Sequence, residues 1–215
     1  MWIKICGISD PETAGAVAAC QPDAIGLNFH PPSPRCVDPH AAQTIVAELP
    51  PGVEPIGVFV NRSRQEILQI AQQVGLQTVQ LHGDEPASLC RDLQAANLDV
   101  IRAFRVGDEG LAEVAEYLSE LKTLRVELRA CLIDARVAGA YGGTGHTAPW
   151  ELLSRDWQCD WPPLILAGGL TPDNVRSAIK VTGCWGIDTA SGVESSPGKQ
   201  NLEKVREFIR QGRLG

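Results

Sequence analysis

Short apolar segments alternate with amphipathic ones along the whole chain. The apolar segments are rich in Val, Ile and Leu, which is typical of strands buried on both faces of a parallel sheet. They lie at residues 2–6, 24–29, 56–60, 78–81, 100–104, 130–133, 164–167 and 185–188. This pattern predicts eight strands.

The stretches between these segments have apolar positions spaced as on one face of a helix. They predict helices at residues 11–19, 41–48, 65–74, 86–96, 109–121, 172–179 and 201–211, and a short one at 148–155. Alternating strands and helices indicate right-handed βαβ units, and about eight strands favour closure over an open doubly wound sheet. The sequence therefore predicts an α/β protein, a single-domain (β/α)8 TIM barrel over residues 1–215.

The composition agrees with this fold and argues against two classes of binding partner. The chain has 215 residues, of which 44% are hydrophobic, and one barrel of this class takes roughly 200 to 250 residues. A net charge of -7 without a basic block argues against nucleic-acid binding. No apolar stretch approaches the roughly 20 residues of a membrane span. We therefore expect neither nucleic acid nor a membrane as a partner.

The cysteines point to a reducing compartment. There are seven of them, an odd number, and no pair has CxxC spacing. No apolar leader precedes the first strand, so neither a disulfide framework nor a thiolate zinc site is indicated. We expect a cytoplasmic protein without a metal site.

Candidate chemistry lies where predicted strands end, because ligands of barrel enzymes bind at the carboxyl ends of the strands. Cys6 closes the first strand, where a thiol can act as a base or nucleophile instead of filling the core. Asp134 follows the sixth strand, on the other side of the barrel mouth. The two predict an acid and base pair across the site. The alternative for Asp134 is a helix cap or a partner for Arg136.

Glycines and a hydroxyl follow the last two strands. Gly168 and Gly169 precede a helix for which Thr171 is a candidate N-cap. Ser191 and Gly192 follow the eighth strand. Because the seventh and eighth loops are the usual phosphate site of barrels, these residues predict a phosphorylated small-molecule substrate.

Nucleotide cofactors are not indicated. Five residues instead of four separate Gly192 from Gly198, and Gln200 stands where a P-loop has Ser or Thr. No early strand is followed by GxGxxG with an acidic residue about 20 positions later. The sequence therefore predicts no cofactor.

Two further polar residues have alternative interpretations. Lys4 shares a strand face with Cys6, and a lysine inside the barrel needs a carboxylate, for which Asp188 on the eighth strand is the natural candidate. The alternative is a Schiff-base lysine. His82 is either a ligand contact or an ordinary loop histidine.

Several motifs at the predicted strand ends are distinctive in combination. They are Lys4-Ile5-Cys6-Gly7-Ile8, Ser33-Pro34-Arg35, Gly57-Val58-Phe59-Val60-Asn61, Gln80-Leu81-His82-Gly83, Gly142-Gly143-Thr144-Gly145, Gly168-Gly169-Leu170 and Ser191-Gly192-Val193-Glu194. Together with Asp134 they closely resemble the phosphoribosylanthranilate isomerases, cofactor-free barrel enzymes of tryptophan biosynthesis. The resemblance spans nearly the whole chain.

The resemblance implies an Amadori rearrangement of N-(5-phosphoribosyl)anthranilate to 1-(2-carboxyphenylamino)-1-deoxy-D-ribulose 5-phosphate. It implies that Asp134 is the general acid for the furanose ring oxygen and that Cys6, as a thiolate, is the general base for the C2' proton. It also implies that Arg35 contacts the anthranilate part of the substrate. The remaining substrate-binding residues would be Gln80, His82, Gly143, Gly168, Gly169, Ser191 and Gly192.

The sequence departs from the family pattern at two positions, and it leaves two competing functions open. Ala190 stands where the family commonly has a serine, and Cys36 stands where it often has an aromatic residue. Another phosphate-binding barrel, such as indole-3-glycerol-phosphate synthase or an epimerase, would require catalytic lysines or a metal cluster. An inactive barrel that only binds phosphate would have a damaged acid and base pair. The sequence leaves both a monomer and a homodimer open.

Overall fold

A computed structural model describes residues 1–107, 110–135 and 150–215. In this part of the chain, eight parallel strands pair in sequence order and close into a barrel. They are β1 Trp2–Cys6, β2 Ala24–Asn28, β3 Glu54–Phe59, β4 Thr78–Leu81, β5 Asp99–Val106, β6 Ala130–Ala135, β7 Leu164–Leu166 and β8 Gly186–Thr189. The predicted α/β class and (β/α)8 barrel are confirmed.

A helix follows each strand. The helices are α1 Pro11–Ala18, α2 Pro39–Glu48, α3 Arg64–Val74, α4 Ala87–Gln94, α5 Ala112–Leu124, α6 Trp150–Asp156, α7 Val175–Thr182 and α8 Leu202–Arg213. Local sequence explains several of their ends. Asp10 caps α1 through a bond from the Thr13 amide, and Ser63 forms a capping box with Glu66 at the start of α3. Gly75 ends α3 at a φ of +81°.

The predicted N-cap of α7 is wrong. Thr171 does not cap α7, because residues 172–174 form a turn and the helix begins at Val175. The side chain of Asn174 accepts a hydrogen bond from the Thr171 amide at 2.8 Å and donates one to the Gly169 carbonyl at 2.9 Å. The loop after β7 is therefore held by Asn174.

A short hairpin was not predicted from the sequence. A 3₁₀ turn at Ser191–Val193 leads into β9 Glu194–Ser196, which pairs with β10 Lys199–Gln200. Pro197-Gly198 between them is typical of a type II turn, and Gly198 has a φ of +79°. The hairpin follows β8, so it stands at the end of the barrel where the site is expected.

A cluster of small and apolar side chains lies inside the barrel. The interior cluster consists of Ala24, Ile56, Ile101, Ala103, Ala130, Leu132, Ile165 and Ala167. A larger apolar cluster, which includes Ile3, Ile5 and Phe208, packs the helices against the outside of the sheet. Because alternate residues of a strand face opposite sides, the same parity that places Ala130 and Leu132 inside brings Asp134 to the mouth.

Candidate active site

A cavity opens at the carboxyl ends of the strands. Most of the predicted site residues line it, from different strands and loops of the barrel. They are Cys6, Arg35, Gln80, His82, Asp134, Gly168, Gly169 and Ser191. Gly192 is next to Ser191 in the 3₁₀ turn, and the predicted contact Gly143 lies outside the described residues.

Cys6 stands on the wall of the cavity and is partly buried as a residue. It pairs in register with Gly26, and a Cβ at position 26 would lie 2.5 Å from the sulfur. The glycine therefore makes room for the thiol. Burial raises the pKa of Cys6, while the positive charge of Lys4 acts in the opposite direction. The site therefore favours the thiol form of Cys6.

Lys4 forms the predicted ion pair. Its side chain is fully buried below Cys6 on the same strand face, and Nζ donates to Oδ1 of Asp188 at 2.9 Å. Burial lowers the pKa of Lys4 and is the largest single effect, but the charges of Asp188 and Cys6 and hydrogen bonding to both together outweigh it, so the pKa is raised above its ordinary value. A buried, charged and paired amine cannot reach a carbonyl as a nucleophile, which contradicts the Schiff-base alternative.

Asp134 faces His82 across the mouth. Its carboxylate oxygen Oδ2 lies 3.4 Å from Nε2 of His82, and both side chains are largely buried. Nδ1 of His82 lies 2.9 Å from Nε2 of Gln80 on β4. With Gln80 donating there, the ring hydrogen is on Nε2, the ring nitrogen nearer to Asp134. The contact is not aligned as a hydrogen bond.

Gln80 has an additional group available for a ligand. The side chain is 1% exposed and lines the cavity, and among the described residues its Oε1 atom has no hydrogen-bond partner. An unsatisfied buried acceptor is costly, and a substrate hydroxyl would satisfy it.

Arg35 is held by a carboxylate that sequence reasoning did not single out as functional. Its Nε and Nη2 atoms donate to the two oxygens of Glu194, at 2.6 and 2.7 Å. The Arg35 stem packs on Gly7, where a Cβ would lie 2.5 Å from Cδ of the arginine. Hydrogen bonding to Glu194 raises the pKa of Arg35. The guanidinium is therefore a fixed cation at the edge of the cavity.

The two predicted phosphate loops contact each other. Gly168 and Gly169 have φ values of +79° and +65°, a conformation that favours glycine. The hydroxyl of Thr189 donates to the Leu170 carbonyl at 2.8 Å, and a Cβ on Gly192 would lie 1.8 Å from that same oxygen. The close approach puts the main chains after β7 and β8 side by side, as a shared anion site requires.

Other residues that line the cavity were given no binding or catalytic role from the sequence. Asn28, His30, Ser33 and Thr189 belong to this group. The strand period of two could have found Asn28, which ends β2 two residues beyond Gly26 on the same face. His30 and Ser33 lie in the loop after β2, where no periodicity applies, and Thr189 ends β8, paired in register with Ile5.

Two classes of feature are missing from the described part of the chain. Across 1–107, 110–135 and 150–215, no three His, Cys, Asp or Glu side chains are grouped so that they could hold a metal ion. None of the helices described has the length and apolarity needed to cross a membrane.

Comparison with known proteins identifies the family to which the chain belongs. The family model for N-(5'-phosphoribosyl)anthranilate isomerase matches residues 3–211. The chain belongs to the N-(5'-phosphoribosyl)anthranilate isomerase family. The isomerase of Geobacter metallireducens is 43% identical over 211 residues, which are 98% of this chain and 98% of that protein. The enzyme is therefore an isomerase of tryptophan biosynthesis, as the resemblance implied.

Solved structures of N-(5'-phosphoribosyl)anthranilate isomerases match the barrel over its full length. The Thermotoga maritima isomerase is 37% identical with a TM-score of 0.86, and all of each chain is covered. An isomerase in complex with reduced 1-(o-carboxyphenylamino)-1-deoxyribulose 5-phosphate is 36% identical with a TM-score of 0.83, again with all of each chain covered. A third structure, 35% identical with a TM-score of 0.84 and full coverage of both chains, is of monomers generated from the dimeric Thermotoga isomerase.

Proposed function

We propose that Asp134 and Cys6 are the general acid and general base with which this enzyme isomerises N-(5'-phosphoribosyl)anthranilate. The observation that carries the proposal is that a carboxyl group from β6 and a thiol from β1 line one cavity. The reaction oxidises C2' and reduces C1' of the same sugar, so it needs only proton transfers. An acid for the ring oxygen and a base for C2' supply them.

The steps follow from those two roles. Asp134 gives a proton to the furanose ring oxygen while the C1'–oxygen bond breaks, and the anilino nitrogen lone pair forms a C=N bond. Cys6 takes the C2' proton, and the C2'–hydrogen electrons become the C=C bond of an enolamine. A proton then adds to C1', the C2' hydroxyl loses its proton, and the product is the 2'-ketone.

The raised pKa of Cys6 works against its role as a base. The thiol must lose its proton before it can act as a base, and burial alone opposes that loss. Ring opening creates a positively charged Schiff base next to the sulfur. Together with Lys4, that charge favours the thiolate at the step that needs it.

The two ends of the substrate are assigned to opposite sides of the cavity. The main chain around Gly168, Gly169, Ser191 and Gly192 binds the phosphate, and Arg35 binds the anthranilate carboxylate. Gln80 and His82 support the reacting centre. The relative in complex with the reduced product analogue supports a phosphorylated ligand of this kind. Since main-chain groups bind the phosphate, Ala190 weakens affinity at most.

The proposal extends to the domain organisation, location, partners and oligomeric state of the enzyme. Residues 1–215 act as one cytoplasmic barrel domain whose partner is the small phosphorylated substrate, and the net charge of -7 disfavours nucleic acid. Its oligomeric state is either a monomer or a homodimer, since the Thermotoga relative is dimeric and also yields monomers.

Substitution of each residue tests its role. Loss of substrate fluorescence gives kcat for the wild type, Cys6→Ser and Asp134→Asn. Each variant is expected to lose at least about a hundredfold in kcat, as when a positioned acid or base is removed. Cys159→Ser and Asp92→Asn change the same groups on the exposed surface and should keep wild-type kcat. Wild-type turnover in Cys6→Ser or Asp134→Asn would refute the role of that residue.

A further inference from the structure

Glu194 is a buried carboxylate at the edge of the cavity that the proposed acid and base steps do not use. Its side chain is 4% exposed and forms a bidentate ion pair with Arg35, at 2.6 Å to Nε and 2.7 Å to Nη2. Planar paired bonds of this kind fix the orientation of a guanidinium as well as its position. They use two of its five N–H donors and leave three outside the ion pair.

Glu194 is itself held tightly. It follows the Ser191–Val193 turn directly, and its carbonyl accepts a hydrogen bond from Nζ of Lys204 at 3.0 Å. The turn is held too, since the Asn201 amide donates to the Val193 carbonyl at 2.7 Å. The carboxylate that pairs with Arg35 therefore lies on a segment that hydrogen bonds hold in place.

The same segment carries the predicted phosphate contacts. Ser191 and Gly192 precede Glu194 by three and two residues, and Gly192 packs against the Leu170 carbonyl of the neighbouring loop. A 3₁₀ turn is a compact unit with little freedom. The guanidinium and the phosphate loop are thus joined through one short stretch of chain.

We infer that Glu194 is a positioning residue that fixes the Arg35 guanidinium at a set distance from the phosphate loop, so that the two ends of one substrate are bound together. The inference rests on the proposed role of Arg35 as the anthranilate contact. A long arginine side chain is costly to order, and the ion pair orders it before the substrate arrives.

A purely structural ion pair makes a different prediction. If Glu194 only anchored the hairpin to Arg35, its loss would lower stability and leave the affinity for both ends of the substrate unchanged or lower both equally. A positioning role weakens binding of the anthranilate end alone. Competing ligands that occupy one end each therefore separate the two explanations.

Glu194→Gln in the full-length enzyme is the primary test, because it keeps the size of the side chain and removes its charge. We expect KM to rise about tenfold with a much smaller change in kcat, as when a charge-assisted clamp on a substrate-binding group is lost. The inhibition constant of anthranilate should rise by a similar factor, and that of inorganic phosphate should stay within about twofold of wild type. An unchanged KM, or equal losses for both inhibitors, would overturn the inference.

A second variant separates the inference from the role on which it rests. In an Arg35→Met background, Glu194→Gln should change KM no further, because coupled residues give non-additive effects. A further loss there would show that Glu194 acts by another route and would overturn the inference. An unchanged KM in Arg35→Met alone would instead refute the proposed role of Arg35.

Glu54→Gln is the matched control. Glu54 also pairs with an arginine, Arg129, through both carboxylate oxygens, but it begins β3 at the opposite end of the barrel. Its loss should lower the thermal midpoint without changing KM or either inhibition constant. A KM change as large as that of Glu194→Gln would mean that any broken ion pair disturbs the site, and the inference would fail.

Discussion

Nε2 of His82 lies 3.4 Å from Oδ2 of Asp134 at the mouth of the barrel. The other ring nitrogen is 2.9 Å from Nε2 of Gln80, which is buried on the preceding strand. The imidazole is thus held through Nδ1, and Nε2 faces the carboxyl group of Asp134. A small rotation on substrate binding would turn this contact into a hydrogen bond that orients the acid.

Substitution of His82 should therefore slow the reaction more than it weakens binding. His82→Phe keeps a ring and removes the contact with Asp134. We expect kcat to fall about tenfold, because a misoriented acid loses part of its advantage of position. Steady-state kinetics provide the check, with His40→Phe on the exposed face of α2 as the control. Wild-type kcat in His82→Phe would rule out an orienting role.

The pair of Lys4 and Asp188 should matter chiefly to stability. Lys4→Met leaves the Asp188 carboxylate buried without its cation, and breaking a buried pair in this way typically costs about 3–5 kcal/mol. Lys4→Met/Asp188→Asn should regain part of that loss. Denaturant unfolding of the three proteins measures it, and a Lys4→Met variant as stable as wild type would show that the pair contributes little.

The raised pKa of Lys4 also predicts a pH dependence. The folded chain binds this proton more tightly than the unfolded chain does, so its stabilisation is complete below the ordinary value of 10.5. The stabilisation is lost as the pH rises from there through the raised value. Unfolding midpoints measured over this alkaline range should fall more steeply for wild type than for Lys4→Met. Parallel curves would contradict the assignment.

Gly192 should not tolerate a side chain. A Cβ there would lie 1.8 Å from the Leu170 carbonyl oxygen, so the two proposed phosphate-binding loops would have to move apart. An overpacked contact costs about 1–3 kcal/mol. Gly192→Ala should therefore weaken the binding of substrate and of inorganic phosphate by roughly tenfold or more. Gly15→Ala is the control, because its Cβ would meet nothing within 4 Å. Unchanged phosphate inhibition in Gly192→Ala would place the phosphate elsewhere.

The barrel was predictable because its segments repeat a simple pattern. Apolar runs of strand length alternated with amphipathic runs, and the strand period of two put Lys4 and Cys6 on one face. The pairing of Lys4 with Asp188 followed from strand order, since β1 and β8 are neighbours in a closed barrel. The meeting of Cys6 and Asp134 at one cavity followed from the same geometry.

The rest depended on contacts that no periodicity records. Arg35 and Glu194 are 159 residues apart, and their pairing is set by a hairpin whose strands have only three and two residues. The turn that moves the start of α7 to Val175 depends on one side chain, Asn174. The raised pKa of Cys6 arises from burial, which only the folded chain creates.

The most direct test of the acid and base assignment is a kinetic isotope effect with substrate deuterated at C2'. If Cys6 removes that hydrogen, Cys6→Ser makes its removal rate-limiting, and kcat should show a clear normal isotope effect. If Asp134 drives ring opening, Asp134→Asn makes the earlier step limiting, and its isotope effect should lie close to unity. A normal effect in Asp134→Asn together with none in Cys6→Ser would contradict both roles.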